Sequence, residues 1–179
     1  VTCIVGIEHN GKVLIGGDSA GVAGYSLTIR ADEKVFTTCD TFAFGFTSSF
    51  RMGQLLRYKL QPPPFAEGLD LDQFMATSFI DSVRKVLFDG GFIETHDGAI
   101  RGGTFLVGVR GRLYCVGGDF QVGRSAAGYD SVGCGFELAL GALHATAAVK
   151  SARRRAEAAL EAAAQFSAGV AGPFHFVET

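Results

Sequence analysis

Val1-Thr2-Cys3-Ile4-Val5-Gly6-Ile7-Glu8-His9-Asn10-Gly11-Lys12-Val13-Leu14-Ile15-Gly16-Gly17-Asp18 is the stretch from which the fold is read. Residues 2–8 and 12–18 flank Asn10-Gly11, a pair that tolerates the positive φ angles of a type I′ turn, so a β-hairpin is predicted. Both runs are apolar nearly throughout. Their sheet is therefore expected to be covered by another sheet or by helices rather than open to water. Gly16 to Gly21 admits two readings: a phosphate-cradling loop, or a strand end that another backbone approaches closely. A phosphate loop needs a Lys-Ser/Thr pair and a following helix, and neither follows, so close approach is favoured.

Outward from the hairpin, residues 25–30 predict a short strand, and 34–39 and 41–47 predict two more around a turn at Asp40. Ser48-Ser49 suits a helix N-cap, with Met52, Leu55, Leu56 and Leu60 giving an apolar face and Pro62-Pro63-Pro64 ending the helix. A second helix is predicted over 71–88 with a stripe of Phe74, Phe79, Val83, Val86 and Leu87. Residues 92–102 read as an exposed loop. A hairpin follows over 103–109 and 112–116, then short strands or turns to Tyr129. Helices are expected over 136–147, on Leu138, Leu140, Ala142, Leu143 and Ala147, and over 150–168. A last strand covers 173–177. Strands, two helices, strands, two helices and a strand suit two stacked sheets between two helical layers. The expected fold is a four-layer αββα sandwich of the α+β class, formed by a single domain over 1–179.

Composition narrows the function. The chain has 179 residues, 47% of them hydrophobic, and a net charge of −2. That is enough apolar content for a core, and no global field attracts nucleic acid or an anionic membrane. Arg153-Arg154-Arg155 reads as a solvated helix face. No apolar run spans a bilayer, and the start lacks the basic and apolar regions of a secretory signal. Cys3, Cys39, Cys115 and Cys134 form no CxxC pair and are expected as free buried thiols in a reducing cytoplasm. The four histidines have no metal-ligand spacing, so neither a metal nor a cofactor is expected.

Thr2 carries unusual chemistry if it becomes the first residue. Its hydroxyl is a nucleophile, and a free α-amine, with a pKa of about 7.7–8, can take the hydroxyl proton near neutral pH. A nearby lysine would lower the pKa of the amine by repulsion and that of the hydroxyl by attraction, and a carboxylate would hold that lysine in place. Asp18 ends the second predicted strand and Lys34 opens a later one. An Asp and a Lys at strand ends are, on their own, more often surface charges.

Taken together, Thr2, Gly17-Asp18, Lys34, Gly45 and Gly133-Cys134-Gly135 resemble the proteasome β-subunit and HslV family of N-terminal-nucleophile (Ntn) hydrolases. Thr2 to Asp18 and Asp18 to Lys34 are each 16 residues, as in that family. Phe44 to Ser49, leading into a helix, is similar to the family's small-residue segment. The resemblance implies Thr2 as nucleophile and base, an Asp18–Lys34 ion pair, and the Gly45 N–H as oxyanion donor. It implies substrate pairing along Gly21 and the 45–47 edge, with Ala43, Phe46, Thr47 and Phe50 lining a side-chain pocket suited to apolar residues. It also implies a polypeptide substrate, a homo-oligomeric ring and an ATP-dependent unfoldase as partner.

Two departures stand out. The family's serine before the third helix is Cys134 here, a weaker hydrogen-bond donor. Near the last helix end only Ser167 is available, with Asp130 as a reserve carboxylate or a turn residue. The rival readings are a small-amide Ntn amidohydrolase, an inactive scaffold subunit, and Cys3 as the nucleophile. Val1 must be absent for the Thr2 amine to act. A GTG start codon translated literally, with Met inserted and removed in the cell, is the expected explanation.

Overall fold

The computed structural model describes every residue except Ala66, Glu67, Asp97 and Gly98, and only the backbone at 94–96 and 99. Strands β1 (Cys3–His9) and β2 (Lys12–Gly17) form the expected hairpin, paired from Ile4–Gly17 to His9–Lys12. They lie at the centre of a four-stranded sheet completed by β12 (Tyr129–Gly133) beside β1 and β13 (His175–Glu178) beside β2. A second sheet has the order β11-β10-β9-β6-β5. Its strands are β5 (Val35–Thr38), β6 (Phe42–Phe46), β9 (Phe105–Val109), β10 (Arg112–Val116) and β11 (Val122–Gly123).

Period-two side-chain alternation builds the four layers. Cys3, Val5 and Ile7 turn from the first sheet toward α4 (Phe136–Ala145) and α5 (Ala152–Phe166), packing with Leu143, Ala159 and Leu160. Ile4, Val13 and Ile15 turn the other way and meet Val35, Ala43 and Leu106 between the sheets. Phe42, Phe44 and Phe46 leave the far face of the second sheet and pack under α1 (Phe50–Tyr58) and α3 (Ile80–Asp89). The result is an αββα sandwich. Glycines sit where the sheets close: a Cβ on Gly6 would lie 2.6 Å from Leu113, and one on Gly108 would lie 2.6 Å from Val13.

Ser49 caps α1 by accepting the Arg51 N–H, and Asp70 caps α2 (Leu71–Phe74) by accepting those of Asp72 and Gln73. A π-helical segment, Met75–Phe79, joins α2 to α3 within the predicted second helix. In α4 the inward residues are Ala139 and Leu143, whereas Leu138, expected inside, is exposed.

Several expectations are corrected. Residues 92–102 are not wholly loop: β7 (Glu94–His96) and β8 (Ala99–Arg101) pair as a hairpin around positions outside the described residues. Ala20–Ala23 forms a further strand, β3, paired with β4 (Ser26–Ile29). The arginine triplet is more than a solvated face. Arg153 stacks 3.6 Å from the centroid of Phe176, and Arg155 donates to the Leu143 carbonyl at 3.0 Å. The four cysteines are free, but Cys39 and Cys134 are exposed and Cys115 is only partly covered. No helix among the described residues is long and apolar enough to cross a membrane.

Candidate active site

Thr2, Asp18 and Lys34 come together because β1 and β2 are antiparallel and β5 lies under them in the other sheet. Cys3 opens β1, so Thr2 stands just before the strand, next to the end of β2 where Asp18 follows Gly17. Lys34 precedes β5, and Val35 packs against Gly17's α-carbon, leaving no room there for a side chain. The Lys34 Nζ donates to Thr2 Oγ1 at 2.9 Å and to Asp18 Oδ1 at 2.8 Å. The Lys34 side chain is 1% exposed and that of Asp18 is 0% exposed, so this is a buried ion pair.

Buried charges need hydrogen bonds as well as a partner. Asp18 accepts three backbone N–H groups in addition to the lysine: Cys3 at 3.0 Å, Ala20 at 2.9 Å and Ala171 at 3.4 Å. Burial draws the Lys34 ammonium below the ordinary lysine pKa, against the raising influence of Asp18.

The Thr2 backbone is clamped on both sides. Its N–H donates to the Gly169 carbonyl at 3.1 Å, and its carbonyl accepts from the Gly135 N–H at 3.3 Å. Its φ is +132°, a region that a β-branched residue occupies only under constraint. That torsion exists only while residue 1 is attached. Gly133, at φ +102°, could carry no side chain: a Cβ would lie 2.2 Å from the Thr2 carbonyl oxygen. A Cβ on Gly135 would lie 2.9 Å from Ala163 and 3.0 Å from Cys3. The two glycines let this turn close on Thr2 and set Cys134 beside its nitrogen.

Cys134 Sγ lies 3.4 Å from Ser167 Oγ. Partial burial opposes ionisation of this thiol. The bonds from Ser167 and the Thr2 N–H, with the adjacent terminal ammonium, outweigh it and hold the pKa below the ordinary cysteine value. Cys3 has the opposite surroundings. It is 0% exposed, its N–H is bonded to Asp18, and burial pushes its thiol up to about 12. Enclosure and a raised pKa both disfavour Cys3 as a nucleophile in this arrangement.

No family profile and no curated protein matches the sequence. Solved structures do match the fold. BPH of Thiobacillus denitrificans in complex with epoxomicin superposes with a TM-score of 0.80 at 18% identity, over 99% of this chain and 98% of that one. BPH without that molecule gives 0.80, 18%, 99% and 97%. Eukaryotic HslV from Trypanosoma brucei gives 0.71 at 17% identity, over 99% and 98%.

The chain has the HslV fold. On this HslV-like frame a pocket of about 170 Å³ opens beside Thr2 and Lys34. One wall is β3, with Ala20, Gly21 and Val22; the opposite wall is Phe46, Thr47, Ser48, Ser49 and Phe50. Of the pocket residues expected from sequence, Gly21, Phe46, Thr47 and Phe50 line it.

Ala43 does not line this pocket. It lies three residues before Phe46 on β6, 0% exposed between the two sheets. Gly45 is corrected too. The Thr47 N–H donates to Thr104 O across the β6–β9 ladder, so strand alternation directs the Gly45 N–H to the same side, opposite Leu106 and into the sheet. Gly45 is small because a Cβ there would lie 2.4 Å from Ile4 and 2.7 Å from Ile15. Ser48 lines the pocket; its φ of +65° turns the chain out of the ladder, and its N–H has no acceptor among the described residues.

Gly21 needs a similar one-residue shift. The Arg30 N–H donates to Ser19 O, which puts Ser19–Arg30 and Gly21–Thr28 in the bonded pairs of the β3–β4 ladder. Gly21 therefore turns its polar groups to β4, and Val22 presents its own to the open edge facing the pocket. Asp130 lies within β12 opposite Gly6, away from Thr2, and burial raises its carboxyl pKa. Sequence reasoning did not single out Val22 and Ser48, which line the pocket, or the Gly169 carbonyl, which accepts from the Thr2 N–H. All three border the site through backbone groups, which carry no signature in residue type. The φ > 0 at Ser48 had no glycine to signal it.

Proposed function

We propose that this chain is a threonine-type peptidase of the HslV and proteasome β-subunit kind, with Thr2 as its mature first residue. The observation that carries this reading is the 2.9 Å bond from Lys34 Nζ to Thr2 Oγ1 at the mouth of a pocket bordered by an open strand edge. With residue 1 absent, the Thr2 amine takes the hydroxyl proton, directly or through one water. The buried Lys34 charge, held by Asp18, favours the developing alkoxide. Cys134 and Ser167 orient the amine.

The oxygen attacks the carbonyl of an extended peptide laid along Val22 as an added strand. The tetrahedral oxyanion takes the Ser48 N–H, a contribution of roughly 3–4 kcal/mol for such a donor. Collapse expels the amine of the leaving peptide and leaves an ester on Thr2, which water then hydrolyses. The open edge favours polypeptide over a small amide, which has no strand to pair. The same reading carries a homo-oligomeric ring that encloses the sites, fed by an ATP-dependent unfoldase.

The test is peptide hydrolysis by protein whose first residue has been identified by intact mass. Protein beginning at Thr2 is expected to cleave fluorogenic peptides, and Thr2→Ala to lose that activity. Full activity in Thr2→Ala, or in protein that retains a residue before Thr2, refutes the assignment.

A further inference from the structure

We propose that Arg57, in the last turn of α1, is a positioning residue for Lys34: its guanidinium fixes the backbone from which the lysine reaches Thr2. The proposal rests on the peptidase reading above. Its ground is a pair of bonds across an open sheet edge. β5 is the outermost strand of its sheet, with β6 on one side only. The Lys34 carbonyl accepts the Phe46 N–H at 3.1 Å, so the carbonyls of Glu33 and Val35 turn to the open side of the strand. Arg57 Nη2 donates to both, at 2.9 Å to Glu33 and 2.8 Å to Val35.

One side chain thus does here what a neighbouring strand does elsewhere in the sheet. The carbonyls at 33, 34 and 35 are held from both sides, so rotation of the Lys34 backbone would break a bond on one side or the other. Bonds donated by a charged group are also the stronger kind. Arg57 is itself held. Its guanidinium lies 4.8 Å from the centroid of Phe36, and that ring stacks on Phe44 at 5.1 Å with 9° between planes. A planar cation on an aromatic face keeps little freedom. The Glu33 carboxylate is tied separately, to His175 Nδ1 at 3.1 Å, and Val35 is enclosed between the two sheets.

The reaction needs that rigidity at Lys34. Its Nζ serves two atoms at once, Thr2 Oγ1 at 2.9 Å and Asp18 Oδ1 at 2.8 Å. A lysine stem is long and flexible, so its far end keeps both partners only if its backbone end stays in place. A misplacement of about 1 Å in a group acting on the reacting atoms costs up to roughly a hundredfold in rate. Arg57 is not among the residues that line the pocket beside Thr2, so it reaches the chemistry through Lys34 and leaves peptide binding alone.

The experiment measures kcat and kcat/KM on one fluorogenic peptide for wild type, Arg57→Met, Arg57→Lys and Arg51→Met, with thermal unfolding of each. Rates are divided by the number of active sites, counted by intact mass after a peptide vinyl sulfone has reacted with Thr2 to completion. Arg51→Met is the control: the same change on the same helix, removing a bond to the Gly90 carbonyl at 3.4 Å. Arg57→Met should lower kcat and kcat/KM by the same factor, about tenfold or more, the pattern of a lost transition-state interaction. Arg57→Lys keeps the charge but not the stacked plane and should lower both by less; it decides the matter if Arg57→Met fails to fold. Arg51→Met should keep the wild-type rate per site. A lowered Tm with the full rate per site in either Arg57 variant, or a rise in KM alone, makes Arg57 a structural residue and overturns the proposal, while adducts at Thr2 leave the peptidase reading standing. No adduct and no cleavage in wild type overturn both.

Discussion

Replacing Lys34 by methionine keeps the stem and removes the charge from the most enclosed ion pair in the described structure. Its Nζ lies 2.8 Å from Asp18 Oδ1, a separation at which unit charges attract by about 6 kcal/mol at an effective dielectric of about 20. Desolvation offsets part of that, and removing one partner of a buried pair typically costs about 3–5 kcal/mol. Asp18 would still accept N–H groups from Cys3, Ala20 and Ala171. These three dipoles keep the stranded carboxylate near the low end, about 3 kcal/mol. In a chain of this size that lowers Tm by roughly 6–12 °C. Urea unfolding gives the free energy directly. Asp18→Asn and the double variant close a cycle in which the double change should cost about 2–3 kcal/mol less than the sum of the singles. Strict additivity, or a loss below about 1 kcal/mol in Lys34→Met, would refute the view that the two side chains act as one buried unit.

Gly133→Ala forces a Cβ to within 2.2 Å of the Thr2 carbonyl oxygen at a positive φ. A drop of about 2–4 kcal/mol in urea unfolding, together with loss of peptide hydrolysis, is expected. At alkaline pH the fold keeps Cys3 protonated to about 12, whereas the unfolded chain releases that proton near 9. The thiol's contribution is therefore whole below pH 9 and falls above it, by up to about 1.4 kcal/mol per pH unit. Lys34, held below its ordinary value, acts in the opposite sense. The difference in pH slope between wild type and Cys3→Ala isolates the thiol, and identical slopes would count against it. Iodoacetamide at neutral pH should alkylate Cys134 ahead of the other exposed thiol, Cys39, and abolish hydrolysis, as read by peptide mapping and assay. Fully alkylated protein with full activity would remove Cys134 from the site.

The αββα layering was legible because the apolar runs are long and Asn10-Gly11 and Ser48-Ser49 punctuate them clearly. β12 was not, since Tyr129-Asp130-Ser131-Val132-Gly133 has weak strand character and owes its place to pairing with β1. Of the β3–β4 hairpin, β4 was expected over 25–30 but β3 escaped for a related reason: Ala20-Gly21-Val22-Ala23 is small and partly exposed, with no alternating pattern to follow. At the site, spacing and side-chain type located Thr2, Asp18 and Lys34. The same logic could not tell that the N–H groups of Gly45 and Gly21 turn into their ladders, because which backbone N–H faces a cleft depends on strand register. A glycine on an inner sheet face looks, in sequence, like a glycine lining a pocket. Ala43 was misassigned for the same reason.

The central claim is that one residue, Thr2, supplies both the nucleophilic oxygen and the basic nitrogen. A peptide epoxyketone tests both at once, because it closes a ring only on a residue carrying both a hydroxyl, which adds to the ketone, and a free amine, which opens the epoxide. Tandem mass spectrometry of the treated protein should place that ring adduct on an N-terminal Thr2. An adduct on Cys3 or Cys134, or an unmodified N-terminus in protein that still cleaves peptides, would contradict the account.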